Sequence, residues 1–337
     1  MTRWLVTGGC GFIGRSLIRH LVRDPGNAIR VYDNLSVGSE ADLAAIGPTR
    51  RIEPPAGGAG PLELVVGDVR DGERIRAATE GQDIVVHLAG NTGVAPSVAD
   101  PMADCTANVI GTLNCLEGAR HAGIRRFVFA SSGAPIGEVE PPIHEEKAPR
   151  PASPYGASKL AAEGYCSAYF KSFGVETVAL RFGNVYGPWS SHKSSVVAMF
   201  MKRVLAGEPL EIFGDGRQTR DFIFVGDLVR AILKAVEVPG IGGETFQIAT
   251  ASETTVLTLA ETLKTRLAAH GIGPVELRHA PVRIGDVRRN YSDTSKARRV
   301  LGWQAEVALA DGLDQVIDWF LAQTQQAAPP VGAARGR

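Results

Sequence analysis

Over its first 183 residues the chain alternates short, nearly continuous apolar runs with longer stretches whose apolar positions recur at helical spacing. The runs "RWLVTG" (3–8), "IRVYD" (29–33), "LELVVGD" (62–68), "DIVVHLAG" (83–90) and "RFVFASS" (126–132) predict five strands. Their Val, Ile, Leu and Phe content suits strands buried on both faces. Residues 12–23 and 104–122 carry the helical pattern between them. Alternation of this kind predicts an α/β fold with a doubly wound parallel sheet. The stretch "VETVALRFGNVYG" (175–187) adds a sixth strand and "FQIAT" (246–250) a seventh.

Beyond residue 184 the alternation becomes irregular. "GDGRQTRDFIFVGDLVRAI" reads as a loop, a short strand and a helix beginning near Asp227, and residues 254–269 form a further helical pattern. These features predict a first lobe over 1–183, to which 225–250 returns, and a smaller α/β lobe built from 184–224 and 251–325. The Pro- and Gly-rich stretch 47–61 reads as an exposed loop, and the tail 326–337 as disordered. There is no internal repeat.

Composition narrows the class. Apolar residues make up 44% and charged residues 21%, as in ordinary globular proteins, and 36 Lys+Arg balance 36 Asp+Glu. A neutral chain has no electrostatic reason to seek nucleic acid or an anionic membrane. No apolar run is long enough to span a bilayer, and Met1 leads into a strand without the charged and apolar regions of a signal peptide. The cysteines (Cys10, Cys105, Cys115, Cys166) form no C-x-x-C pair. They read as reduced thiols in a cytoplasmic protein, with Cys105 and Cys115 packing on a helix.

"VTGGCGFIG" places Gly8, Gly11 and Gly14 between the first strand and the first helix. Small residues there let the backbone turn tightly against a pyrophosphate, which the N–H groups of the helix start then receive. Asp33 ends the next strand 19 residues after Gly14. That is the position of an acid that holds the ribose hydroxyls of NAD and repels the extra phosphate of NADP. The expectation is a Rossmann-like first lobe that binds NAD. Asp68, ending the third strand, is placed either to reach the adenine edge or to cap a helix.

"SPYGASKLAAEGY" (153–165) sets Tyr155 and Lys159 at i, i+4, on one helix face. A phenol with its usual pKa of about 10 is a weak base. A neighbouring ammonium and an oxidised nicotinamide both favour the phenolate. The pair is then suited to take a proton from a sugar hydroxyl whose carbon is being oxidised.

With these motifs in view, the chain resembles the extended short-chain dehydrogenase/reductases, specifically the nucleotide-sugar epimerase/dehydratase group, in the manner of UDP-glucose or UDP-glucuronate 4-epimerases. The resemblance runs from Thr7 to Trp303. It rests on "TGGCGFIG", "GDVRD", "HLAG", "NVIGTLNCLEGA", "PYGASK", "RFGNVYGP", "GDGRQTRDFIFVGD" and "RIGDVRRNYSDTSKARRVLGW". It implies a Ser–Tyr–Lys centre of Ser132, Tyr155 and Lys159, with Ser131 as the near alternative to Ser132. For NAD it implies contacts from Phe12, Ile13, Asn34, Val69, Leu88, Ala89, Gly90 and Asn108, besides the glycines, Asp33, Asp68, Tyr155 and Lys159. For the substrate it implies contacts from Ser132 and Val197, with Asn184, Arg220 and Arg283 about the diphosphate and Asp286 on the nucleotide ribose. Phe213 lies either near the base or in the apolar core. Helices near 98–121 and 155–173 resemble those that pair across the family's dimer, which implies a homodimer through a four-helix bundle.

Family dehydratases carry an Asp-Glu pair after the catalytic Thr, and the related decarboxylases a Glu. Here those positions are Gly133 and Ala134, and no acid follows Ser132 before Glu138. Side chains that cannot move a proton favour C4 epimerisation of a UDP-sugar over dehydration or decarboxylation. Pro135-Ile136 departs from the family's Val-Tyr. "GPWSSHKSSVVAMF" (187–200) is the least family-like segment. It is either a polar surface loop or a receptor in which Lys193, His192 or the serines take a C6 carboxylate, as a UDP-glucuronate 4-epimerase requires. No spacing of ligands suggests a metal. An NAD-binding scaffold without catalysis is the remaining alternative, and the intact Ser132, Tyr155 and Lys159 argue against it.

Overall fold

The computed structural model describes residues 1–55, 60, 62–282 and 287–327. Along the chain come β1 (Thr2–Thr7), α1 (Phe12–Leu21), β2 (Asn27–Asp33), α2 (Glu40–Ala44), β3 (Arg50–Arg51), β4 (Leu62–Val66), α3 (Gly72–Thr79) and β5 (Ile84–His87). Then follow α4 (Val94–Ala99), α5 (Pro101–Cys105), α6 (Gly111–Ala122), β6 (Arg126–Ser132), α7 (Pro154–Phe173) and β7 (Thr177–Phe182). These strands and β12 (Glu244–Ile248) form one sheet in the order β12-β7-β6-β5-β1-β2-β4-β3, parallel throughout. The order reverses direction between β1 and β5. In sheets of this type ligands bind at such a switch point, outside the carboxyl ends of the strands.

Strand alternation divides the core into two layers. Trp4 and Val6 face a cluster shared with Leu17, Ile18 and Ile232, whereas Leu5 faces a cluster shared with Ile75, Leu116 and Cys166. The first layer belongs to α1 and α9 (Val225–Glu237), the second to α3, α6 and α7. This is the Rossmann-like arrangement.

The smaller lobe contains β8 (Asn184–Tyr186), α8 (Val196–Leu205), β9 (Leu210–Phe213), β10 (Thr219–Arg220), β11 (Phe222–Phe224), β13 (Thr254–Thr255), α10 (Val256–Ala269), β14 (Leu277–Ala280) and α11 (Leu309–Ala327). Its strands pair two by two: β8 with β11 and β9 with β14 in parallel, β10 with β13 antiparallel. Phe200, Met201, Leu259, Leu263, Val316 and Ile317 fill its core, and Phe12 at the start of α1 joins them. The start of the glycine loop's helix is thus wedged against the second lobe.

Several expectations need adjustment. The run 175–187 is two strands, not one: the chain breaks at Gly183, so β7 enters the large sheet and β8 the small lobe. Helix 104–122 starts at Pro101 and passes through a π turn over Thr106–Ile110. The stretch 47–61 is not all loop, because Arg50–Arg51 pair with β4 at the sheet edge. Ala297, Leu301 and Trp303, assigned by sequence to the smaller lobe, pack into the first lobe's core beside α9 and β12. Cys105 is exposed, while Cys115 is buried. Of the tail, 326–327 continue α11, and 328–337 lie outside the described residues. No helix among the described residues is long and apolar enough to cross a membrane.

Candidate active site

A cavity of about 970 Å³ opens over the switch point and runs between the lobes. Gly8, Gly11, Phe12, Ile13 and Gly14 line one end. Gly8 has φ +69, and a Cβ there would fall 2.7 Å from the Ala89 nitrogen. A Cβ on Gly14 would run into the Gly8 carbonyl. α1 starts with no side-chain cap and no acid in its first turn, so its N–H groups are left for a ligand. Asp33 is buried, and its two oxygens accept from the Cys10 and Leu35 amides at 2.9 and 2.8 Å. Burial raises its carboxyl above the usual range, and those backbone hydrogen bonds oppose the rise. Asp68 does not cap a helix. It accepts from Arg70 at both oxygens (2.8 Å each) and from Asn34 at 3.0 Å, and the Arg70 bonds hold its carboxyl well below the ordinary range. Val69, Leu88, Ala89 and Gly90 complete this wall.

An uncapped helix start, a loop with no room for side chains and a carboxylate at the end of β2 fit a dinucleotide such as NAD. Asn108 is the exception among the expected contacts. It stands behind the wall, with its amide nitrogen 3.2 Å from the Asn91 carbonyl, 3.0 Å from Asp104 and 3.1 Å from the Ser158 hydroxyl. Its Oδ1 has no hydrogen-bond partner among the described residues. A Cβ on Gly90 would lie 2.6 Å from that oxygen and 3.7 Å from Lys159 Nζ, so Gly90 is what lets the three groups converge.

Ser132, Tyr155 and Lys159 share the cavity's middle. Ser153 caps α7 by accepting from the Gly156 amide, with Pro154 in the first turn, which fixes the helix start beside β6. Lys159 is buried and donates to the Ala130 carbonyl at 2.9 Å. Its pKa is pushed down to about 8, chiefly by burial, with Asp104, Glu163 and Cys166 opposing. The Tyr155 phenol is pushed up, first by burial; the Ser132 hydrogen bond pulls it down and Asp104 adds to the rise. At the phenol, burial outweighs the Ser132 hydrogen bond. Ser131 is not equivalent to Ser132. Its hydroxyl donates to Glu163 at 2.5 Å, and Glu163 is held by Arg181 at 2.9 and 2.7 Å. Ser132 Oγ accepts from the Ala134 amide at 3.2 Å. Pro135 and Ile136 are buried in a 3-10 turn that ends at Gly137 (φ +75).

Asn184, Lys193, Val197, Phe213 and Arg220 line the opposite wall. Phe213 is half-buried on the cavity, not part of the lobe's core. Arg220 donates to the Thr219 and Val287 carbonyls, both at 2.6 Å. Arg283 and Asp286 lie outside the described residues. In the loop 187–195, Arg15 donates to the Trp189 carbonyl at 2.8 Å and lies 3.5 Å from His192 Nδ1. Lys193 Nζ has no hydrogen-bond or ion-pair partner among the described residues, and burial lowers its pKa. Sequence reasoning missed Asp104, Glu163 and Arg15. Glu163 repeats the i+4 step from Tyr155 and Lys159, and Asp104 precedes Asn108 by the same step, so spacing alone pointed to both.

Fold and site together define a Rossmann-like α/β enzyme whose smaller lobe forms one wall of the cavity. A profile of the NAD dependent epimerase/dehydratase family matches residues 4–249, and the chain belongs to that family, as an extended short-chain dehydrogenase/reductase acting on nucleotide sugars. It is 37% identical to the UDP-glucose 4-epimerase of Mycolicibacterium smegmatis, over 96% of this chain and 100% of that one. Among solved structures it is similar to the UDP-glucose 4-epimerase of Thermotoga maritima with UDP-glucose. The TM-score is 0.85 at 34% identity, covering 96% of this chain and 100% of that one. It is also similar to the UDP-glucuronic acid 4-epimerase of Bacillus cereus in complex with UDP-glucuronic acid and NAD. There the TM-score is 0.84 at 27% identity, covering 96% and 100%. Homologous structures that hold NAD support NAD binding here.

Proposed function

We propose that this protein interconverts the C4 epimers of a UDP-sugar, of the UDP-glucose/UDP-galactose type, through a transient 4-keto sugar. The observation that carries this reading is the turn after Ser132. Gly133 and Ala134 stand where elimination needs acids, and Glu138 is exposed and away from the cavity. The carboxylates that do line the cavity are engaged: Asp33 by backbone amides, Asp68 by Arg70, Glu211 by Arg203 at 2.8 Å. Among the described residues no cavity carboxylate is left to take a carbon-bound proton at C5 or to drive loss of a C6 group.

Tyr155 takes the proton of the 4-hydroxyl and gives it back, with Ser132 hydrogen-bonded to it. Lys159, fixed on the Ala130 carbonyl, keeps positive charge near the phenol. NAD, for which Gly8, Gly11, Gly14 and Asp33 are the assigned holders, supplies a reversible two-electron oxidant when bound. Asn184 and Arg220 are assigned to the diphosphate, and Val197 and Phe213 to the nucleotide side. The names of the Mycolicibacterium and Thermotoga relatives support UDP-glucose.

A second reading, UDP-glucuronate 4-epimerisation, is favoured by the unpartnered Lys193, which is suited to a C6 carboxylate, and by likeness to the Bacillus cereus enzyme. Anomeric proton NMR of UDP-glucose and UDP-glucuronate, incubated separately without added NAD, tests both. A galacto signal from UDP-glucose is expected. Turnover of UDP-glucuronate alone selects the second reading, and a pentose or a 4-keto-6-deoxy sugar overturns both.

A further inference from the structure

Behind the Tyr155–Lys159 pair lies a carboxylate that the proposed reaction does not use. Asp104, on α5, is 2% exposed. Its Oδ1 accepts from Asn108 at 3.0 Å, and its Oδ2 has no hydrogen-bond partner among the described residues. The helix widens into a π turn at Thr106–Ile110, a distortion that often marks functional positions. Through Asn108 the carboxylate reaches the Ser158 hydroxyl, which donates to the Tyr155 carbonyl at 3.0 Å. α4, α5 and the π turn all pack against α7.

An ammonium buried as deeply as that of Lys159 needs negative charge nearby to remain protonated. Glu163, one turn further along α7, is already neutralised by Arg181. Cys166 is held as a thiol by burial, and His87 is held neutral, down to about 3, by burial and by Lys159. Asp104 has no guanidinium or ammonium partner within ion-pair distance among the described residues, and of the groups that oppose the effect of burial on Lys159 it acts most strongly.

We propose that Asp104 is a positioning residue for the Tyr155–Lys159 pair. It fixes the Asn108 amide, and its buried negative charge keeps Lys159 protonated and so sets the pH range over which the pair works. Both Lys159 and Tyr155 respond to this charge in the same direction, upward. Neutralising Asp104 therefore moves both groups, and with them both limbs of the pH–rate profile, to lower pH. The proposal rests on the Tyr155–Lys159 assignment above, but not on the identity of the sugar.

The test is NMR titration of the Lys159 ε-carbon in ¹³C-lysine-labelled protein without substrate, assigned with Lys159→Met. Asp104→Asn is compared with Asp104→Glu, with thermal unfolding as the check on folding. Asp104→Ser removes the same charge if the Asn variant does not fold. Lys159 is expected to titrate lower by at least about half a pH unit in the neutral variant and to stay near the parent value in Glu. An unmoved midpoint in a folded neutral variant overturns the proposal, and so does an equal fall in the Glu variant. A parent protein that titrates as expected but turns over no nucleotide sugar refutes the proposed reaction and leaves this inference standing.

Discussion

At the scale of single residues, the account turns on which hydroxyls face the cavity. Ser131 and Ser132 end the same strand, and sequence left them as alternatives because a strand's side chains alternate without saying which face the ligand takes. The ion pair that captures Ser131 comes from Glu163 and Arg181 on other elements, so only the assembled fold separates the two. Tyr155→Phe is expected to lower kcat by a factor of at least about 100, with thermal unfolding unchanged, since it removes a proton carrier and little volume. Circular dichroism alongside steady-state assay checks this. Gly137 is fixed for a different reason. Its φ is +75, and a Cβ there would run into the Arg150 carbonyl. Gly137→Ala should destabilise the fold by roughly 2 kcal/mol or more, read as a fall in the urea midpoint without a change in slope.

Among the elements, β1, β2, β4, β5 and β6 were legible as nearly continuous apolar runs, and α1 by its helical spacing. Boundaries fared worse where packing decides. Nothing in "VETVALRFGNVYG" announces that Gly183 ends one strand and frees the next for another sheet, because both halves are equally apolar. Arg50–Arg51 pair at the sheet edge despite a Pro- and Gly-rich setting, since a two-residue edge strand needs only the neighbouring β4. The loop 187–195 was left open between a surface segment and a receptor. It is pinned by Arg15 and lines the cavity with Lys193. If that ammonium receives a C6 carboxylate, Lys193→Ala will raise KM for UDP-glucuronate by about tenfold or more and leave UDP-glucose unchanged. Equal effects on both substrates in steady-state kinetics would remove the loop from sugar selection.

For the molecule as a whole, two properties follow from burial. His87 is buried and held neutral, down to about 3, between the hydroxyls of Thr7 and Thr112. Its folded pKa lies below the unfolded value of about 6.5, so its contribution is fully present above pH 6.5 and is lost as pH falls from there toward 3. Unfolding free energy is expected to drop by up to about 1.4 kcal/mol per pH unit in that window, with the half-buried His192 acting in the same direction. Urea unfolding of the protein and of His87→Asn at several pH values checks the slope, which should be shallower in the variant. Val98, Met102, Ile110 and Tyr165 lie exposed on the helices that sequence matched to a dimer bundle. We propose that they pair across a homodimer, and light scattering at micromolar concentration should give twice the chain mass. The central claim is that the cavity moves an O–H proton at C4 and, among the described residues, holds no free carboxylate to move a carbon-bound one. The most direct measurement is the reaction of UDP-glucose in D₂O, followed by NMR and mass spectrometry of the product. The account predicts UDP-galactose with no deuterium on any carbon; deuterium at C5, or a product lacking the C6 oxygen, would contradict it.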